Sequence, residues 1–274
     1  RLTDKTRLDR ATFQNEGHSD PITCMAVLSK GRVVSGSRDC TLRVWYAATG
    51  QCLQTLIEHT NWINCVAALP DGRVVSGSRD STLRVWDATT GKCLQTLTGH
   101  KDRVICVAAF PDGRVVSGSW DKTLRVWDTI TGTCLQILMG HANTVTCVIV
   151  LSDGRVVSGS EDNPLRVWDP ATGKCLQILV GHRNLVRCMT VLADGRVVSG
   201  SLDNTLRVWN ATTGKCLQIL VGHKNLVRCV SAFPDGRVVS GSYDHTLRVW
   251  DTEIGQCVHI LKGHNNWVDC VTVL

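Results

Sequence analysis

The dipeptide Gly-His returns along this chain on a beat of 41 residues. It stands at Gly17-His18, Gly99-His100, Gly140-His141, Gly181-His182, Gly222-His223 and Gly263-His264, and Glu58-His59 fills the one variant beat. Trp45, Trp86, Trp127, Trp168, Trp209 and Trp250 keep the same period, each 27 residues after its histidine. A fixed period of this size marks a repeat architecture, in which each unit buries its apolar face against the next. It resolves a length of 274 residues, open between one domain and two, into a single unit over 1–274. Six full repeats lie within 18–263.

One repeat, residues 59–99, reads as four short strands. Trp62 to Leu69 is the first, and Pro70-Asp71-Gly72 is a turn. Arg73 to Ser78 is the second, Asp80-Ser81 turns the chain, and Thr82 to Trp86 is the third. Cys93 to Leu97 is the fourth, after the loop Asp87 to Gly91. Turn signals every 8–12 residues between β-forming runs describe an antiparallel meander. No segment keeps a helical period over ten or more residues. An isolated four-stranded sheet would leave its faces open, whereas sheets stacked around a ring cover one another and hide their edges. The expected fold class is all-β, a β-propeller.

The succession Gly-His, Ser-Gly-Ser-x-Asp and Thr-Leu-Arg-Val-Trp-Asp resembles the WD40-repeat family over essentially residues 17–274. Trp45-Tyr46 and Trp209-Asn210 depart from the Trp-Asp ending. The resemblance implies a buried hydrogen-bond network of His, Ser, Asp and Trp in each repeat: His18, Ser35, Asp39 and Trp45 in one, His59, Ser76, Asp80 and Trp86 in the next. The chemistry fits independently. A buried indole N–H and a buried carboxylate both need partners, and a neutral imidazole can join donor to acceptor. A hydrolytic triad is not expected, because an active site is made once and this set recurs six times. No catalytic residue, cofactor or metal is expected.

Composition narrows the class further. Net charge is +6, but 12 of the 30 basic residues are locked to two repeat positions, which describes a solvated ring face and not a nucleic-acid groove. The 14 cysteines fall into two registers, led by Cys24 and Cys52, with Cys40 apart, and no Cys-x-x-Cys occurs. Buried reduced thiols in a cytoplasmic or nuclear protein follow from that placement. No run of 18 apolar residues is present and the opening from Arg1 to Lys5 is polar, so neither a membrane span nor a signal peptide is expected.

Seven blades are expected, with an incomplete or atypical seventh. Residues 10–15 and 267–274 would be its terminal strands. A six-bladed ring with spare strands, or a ring completed by another chain, stay open.

Near-identical repeats make their exceptions informative. One variable series, at the start of the first strand, reads Thr23, Asn64, Ile105, Thr146, Arg187, Arg228 and Asp269. The residue two before it reads Pro21, Trp62, Arg103, Thr144, Leu185, Leu226 and Trp267. The residue before the turn Asp reads Arg38, Arg79, Trp120, Glu161, Leu202 and Tyr243. Arg, Trp and Tyr anchor protein interfaces. Arg38, Trp62, Arg79, Arg103, Trp120, Arg187, Arg228, Tyr243 and Trp267 are therefore the expected partner-binding residues of a non-catalytic scaffold, on the face that WD40 relatives use. The repeat wording is similar to that of F-box/WD40 substrate receptors of ubiquitin ligases. That likeness implies an alternative, a phosphorylated segment read by these arginines. A protein or peptide partner is expected, within a larger protein or complex, with neither nucleic acid nor membrane.

Overall fold

The computed structural model describes residues 17–273. Alternating apolar residues and tight turns build the first sheet from β1 (Ile22–Leu28), β2 (Arg32–Ser37), β3 (Leu42–Tyr46) and β4 (Gln51–Leu56). The second is β5 (Ile63–Ala68), β6 (Val74–Ser78), β7 (Leu83–Trp86) and β8 (Cys93–Leu97). Four more sheets repeat this up-and-down order, and each of the six is an antiparallel meander of four neighbours. The inner strands β1, β5, Val104–Ala109, Val145–Val150, Val186–Val191 and Val227–Ala232 pack side by side in chain order. Six such sheets, packed in chain order by their inner strands, make the expected β-propeller.

The core lies between successive sheets. Leu28, Val34, Leu42, Val44 and Leu56 of the first meet Ile63, Val74 and Trp86 of the second. Trp86, Trp127, Trp168, Trp209 and Trp250 thus each pack on the sheet before their own. Close approach depends on the glycine in Ser-Gly-Ser: a Cβ on Gly77 would lie 2.6 Å from both Cys65 Sγ and Val104 Cγ1. Cys24, Cys65, Cys106, Cys147, Cys188 and Cys229 are small apolar fillers of this seam, as their sequence placement suggests. Against expectation, Cys175 and Cys270 are exposed, and the rest of the second register is only half-buried because its outer strands have one face to solvent.

Two faces lack the cover their counterparts have. Trp45 is half-buried while the other five repeat tryptophans are fully buried. Leu261 is 48% exposed, whereas its counterparts Leu56, Leu97, Leu138, Leu179 and Leu220 are fully buried. Among the described residues, no packing between the inner strands of the last and first sheets matches that between consecutive ones.

The terminal strands differ from expectation. Residues 10–15 lie outside the described residues. Residues 267–273 form no strand, because no second strand among the described residues lies beside them to complete a ladder. They still follow the path of an inner strand. Val268 is buried and seated against Gly241 as Val104 is against Gly77, and its N–H donates to the Ser242 carbonyl at 3.2 Å.

Candidate functional site

The recurring Ser, His and Asp come together within each sheet. In the second, His59 Nδ1 lies 2.7 Å from Asp80 Oδ2 and Nε2 lies 2.8 Å from Ser76 Oγ. Trp86 Nε1–H donates to Ser76 Oγ at 2.8 Å, and Thr82 Oγ1 donates to Asp80 Oδ1 at 2.7 Å. In the first, His18 contacts Asp39 at 2.8 Å and Ser35 at 2.7 Å, and Trp45 donates to Ser35 at 2.7 Å. One proton assignment satisfies every partner: imidazole N–H to carboxylate, serine O–H to imidazole, indole N–H to serine. The Ser76 hydroxyl is fully buried and already holds the indole. A substrate carbonyl has no approach to it, so this set binds sheet to turn.

The off-pattern residues gather at the opposite pole of chemistry, on the end of the ring where the second-to-third strand turns lie. The residue before each turn Asp and the residue two before the variable inner-strand position are backbone partners: Arg79 N–H donates to the Trp62 carbonyl at 2.9 Å, and Trp120 N–H to that of Arg103 at 3.0 Å. Arg38, Trp62, Arg79, Trp120, Arg187, Arg228, Tyr243 and Trp267 line one cavity of 720 Å³ at the mouth of the central channel, with Glu161 and Asp269. Arg103 stands at its rim, its guanidinium 4.3 Å from the centroid of the Trp120 ring.

The inner-strand series has a structural cause that the sequence did not disclose. Pairing skips one residue at that place in every sheet, from Ile63 to Cys65 in the second and from Val186 to Cys188 in the fifth. Thr23, Asn64, Ile105, Thr146, Arg187 and Arg228 are the extra residues of β-bulges. A bulge frees its residue from the ladder and re-aims its side chain. Thr23 and Thr146 hydroxyls and the Asn64 amide tie the next sheet through the carbonyls of Ile63, Val186 and Val104. Arg187 does not. Its guanidinium makes no hydrogen bond or ion pair among the described residues.

Arg187 and Arg228, neighbours in the inner-strand series, differ in their partners. Arg228 Nε donates to Asp269 Oδ1 at 3.0 Å, so one of the two cations is already neutralised. Burial, then the charge of Arg228, push the Arg187 pKa below its ordinary value. A second cationic cluster lies on the first three sheets. The guanidiniums of Arg38 and Arg79 both lie against Trp62, 4.5 and 3.8 Å from the ring centroid. Burial, then the charges of Arg103 and Arg38, lower the Arg79 pKa. None of Arg38, Arg79 and Arg103 forms an ion pair among the described residues. Across the mouth, Tyr243 and Trp267 stack at 4.2 Å with planes 6° apart.

The family model for the WD domain, G-beta repeat, matches six times, at residues 10–46, 50–87, 91–128, 132–169, 173–210 and 214–251. Among curated proteins, a stretch of 45 residues is 49% identical to F-box/WD repeat-containing protein 7 of Drosophila melanogaster, covering 16% of this chain and 3% of that protein. A stretch of 32 residues is 56% identical to the Lissencephaly-1 homolog of Heterostelium pallidum, covering 12% and 8%. One of 43 residues is 49% identical to ribosome biogenesis protein bop1-A of Xenopus laevis, covering 15% and 6%. The chain thus spans a small fraction of the length of each of these relatives.

Proposed function

The chain belongs to the WD40-repeat family, and from that premise we propose that it is a non-catalytic scaffold whose protein partner docks on the channel mouth. The supporting observation is the concentration of Arg, Trp and Tyr at the variable positions of one face, in repeats that elsewhere barely differ. Aromatic and arginine side chains supply large contact area with a polar handle, the usual anchors of an interface. The test is affinity capture with the pair Trp62→Ser, Trp120→Ser against the pair Arg114→Ser, Arg237→Ser, which lies on the first-to-second strand turns at the far end. A partner lost by the mouth pair and kept by the far pair supports the reading. A partner kept by both, or lost only by the far pair, ends it.

The finer alternative, a phosphorylated segment read for a ubiquitin ligase, draws support from the match to an F-box/WD repeat protein. The diversity of the other relatives weighs toward the general scaffold. If a phosphate is read, Arg38, Arg79 and Arg103 suit it better than Arg187 with Arg228, whose charge Asp269 already balances.

Two further points belong to the same reading. A seven-bladed ring accords with the uncovered Leu261 and half-buried Trp45, faces that one more sheet would cover. A cytoplasmic or nuclear location accords with 14 unpaired thiols, which an oxidising compartment would threaten. Cell fractionation checks the location directly.

A further inference from the structure

We infer that the mouth takes an extended, carboxylate-rich segment of its protein partner, laid over Arg38, Arg79 and Arg103 and reaching Arg187 in the channel. This rests on the reading that the partner docks at the mouth.

The charges around the mouth do not balance. Five arginines stand there, and one of them, Arg228, has a carboxylate partner. Glu161, exposed on the fourth sheet, is paired with none of the other four among the described residues. Arg79 sits among like charges, with Arg103 and Arg38 both acting against its protonated form. That repulsion is present in the free protein and is relieved when anions arrive.

The arginines are also prepared for such a ligand. A guanidinium resting on an indole has one face covered and keeps its N–H donors in its own plane, where a carboxylate can meet them side by side. Trp62 holds two of them, Arg38 from the first sheet and Arg79 from the second. Trp120 holds Arg103 on the third. Less rotamer freedom is then lost on binding.

Distribution decides between one concentrated anion and several dispersed ones. The unbalanced cations come from four different sheets: Arg38, Arg79 and Arg103 stand on Trp62 and Trp120 at the first three, and Arg187 stands apart from them on the fifth. Single charges at intervals along a strand match that layout, since side chains on one edge of an extended peptide recur about every 7 Å. Glu161, on the fourth sheet, separates the arginines of the first three sheets from Arg187 on the fifth. Continuous phosphate, as in a nucleic acid, would meet Glu161 and Asp269 in the same cavity.

The test is fluorescence anisotropy at low salt with four labelled probes: a peptide alternating Glu and Gly, its Gln counterpart, a Gln peptide with one phosphoserine, and a single-stranded oligonucleotide. The Glu peptide binds best, and its affinity falls as salt rises. Arg38→Gln with Arg79→Gln weakens it about tenfold or more, as expected for losing two charge-assisted contacts. Trp62 is a positioning residue: Trp62→Leu weakens binding without removing charge, Trp62→Phe restores most of it, and thermal melting confirms that the variants fold. Glu161→Gln tightens binding. Equal binding of Glu and Gln peptides, or preference for the phosphoserine peptide or the oligonucleotide, overturns the inference. If the Glu peptide fails while Trp62→Ser with Trp120→Ser still loses the partner, this inference falls and the docking face stands.

Discussion

Single residues carry two kinds of strain and balance that can be measured. The residue after each turn Asp is left-handed, with φ of 68° at Cys40 and Ser81, 70° at Lys122 and 66° at His245. Asn163 and Asn204 hold the same place, and asparagine tolerates it better than the others. Ser81→Asn is therefore expected to raise stability by about 0.5 kcal/mol, read as a higher urea midpoint, and Asn204→Ser to lower it. The His–Asp pairs set the response to acid. Burial alone would raise the Asp80 and Asp121 carboxyls, but hydrogen bonds from His59 and Thr82, and from His100 and Thr123, more than offset it and hold both well below the usual carboxylate range. Asp203 and Asp244 shift the same way. Burial lowers the His141 and His223 pKa values, against their aspartates. In both cases the unfolded chain binds protons more readily than the fold. Stability is thus full above pH ~6.5, begins to fall through the histidine range, and is lost more steeply below pH ~4. A urea midpoint unchanged from pH 7 to pH 3 would contradict this. The Ser, His, Asp and Trp network was legible through the resemblance to WD40 repeats, and recurrence of the four at fixed spacing spoke against a catalytic triad. The neutralisation of Arg228 was harder to read: Asp269 was visible in the same series, but a series does not say which side chain reaches its neighbour.

At the level of strands and turns, the fourth sheet is the natural exception. Where other turns place Thr82, Thr123, Thr205 or Thr246, it has Pro164, which brings neither hydroxyl nor N–H. Asp162 consequently shares both oxygens with His141 Nδ1, each at 3.0 Å, instead of dividing them between histidine and threonine. Pro164→Thr restores a backbone and a hydroxyl donor to Asp162. It is expected to stabilise the protein by about 1 kcal/mol and to shorten the His141 contact, measurable as a higher melting temperature and a shifted imidazole resonance. Strand order and most boundaries followed from turn chemistry: the observed Cys93–Leu97 coincides with the expected fourth strand, and Ile63–Ala68 lies one residue inside each end of the expected first. The bulge at Asn64 and its equivalents was invisible, because register belongs to a pair of strands and a period belongs to one chain. The feature that aims Arg187 into the channel therefore left its trace in the sequence only as unexplained variability.

For the whole molecule, stability is a sum over sheets and the seams between them. Among the described residues the inner seams are closed and the outermost faces are open, so the same substitution should cost different amounts along the chain. Leu138→Ala empties a fully buried site and is expected to cost about 2–5 kcal/mol, whereas Leu261→Ala, at a site 48% exposed, should cost well under half as much. Denaturant melts of the two variants check it, and equal losses would mean that the last face is covered in solution. The repeat count was legible from the sequence because each unit is complete in itself. The terminal segment was not, since whether 267–273 becomes a strand depends on a neighbour and not on its own residues. A different consequence follows from the sameness of the seams. Val104, Val145, Val186, Val227 and Val268 each fit against an equivalent glycine and cysteine of the preceding sheet. The valine-bearing faces can therefore mate with one another's glycine-cysteine faces, within one chain or between two. Docking one unit out of step forms native-like contacts in the wrong place, a misfolding route typical of repeat proteins. The valine, glycine and cysteine at these seams do not distinguish one from another, so the short connections between repeats help to fix the order of assembly.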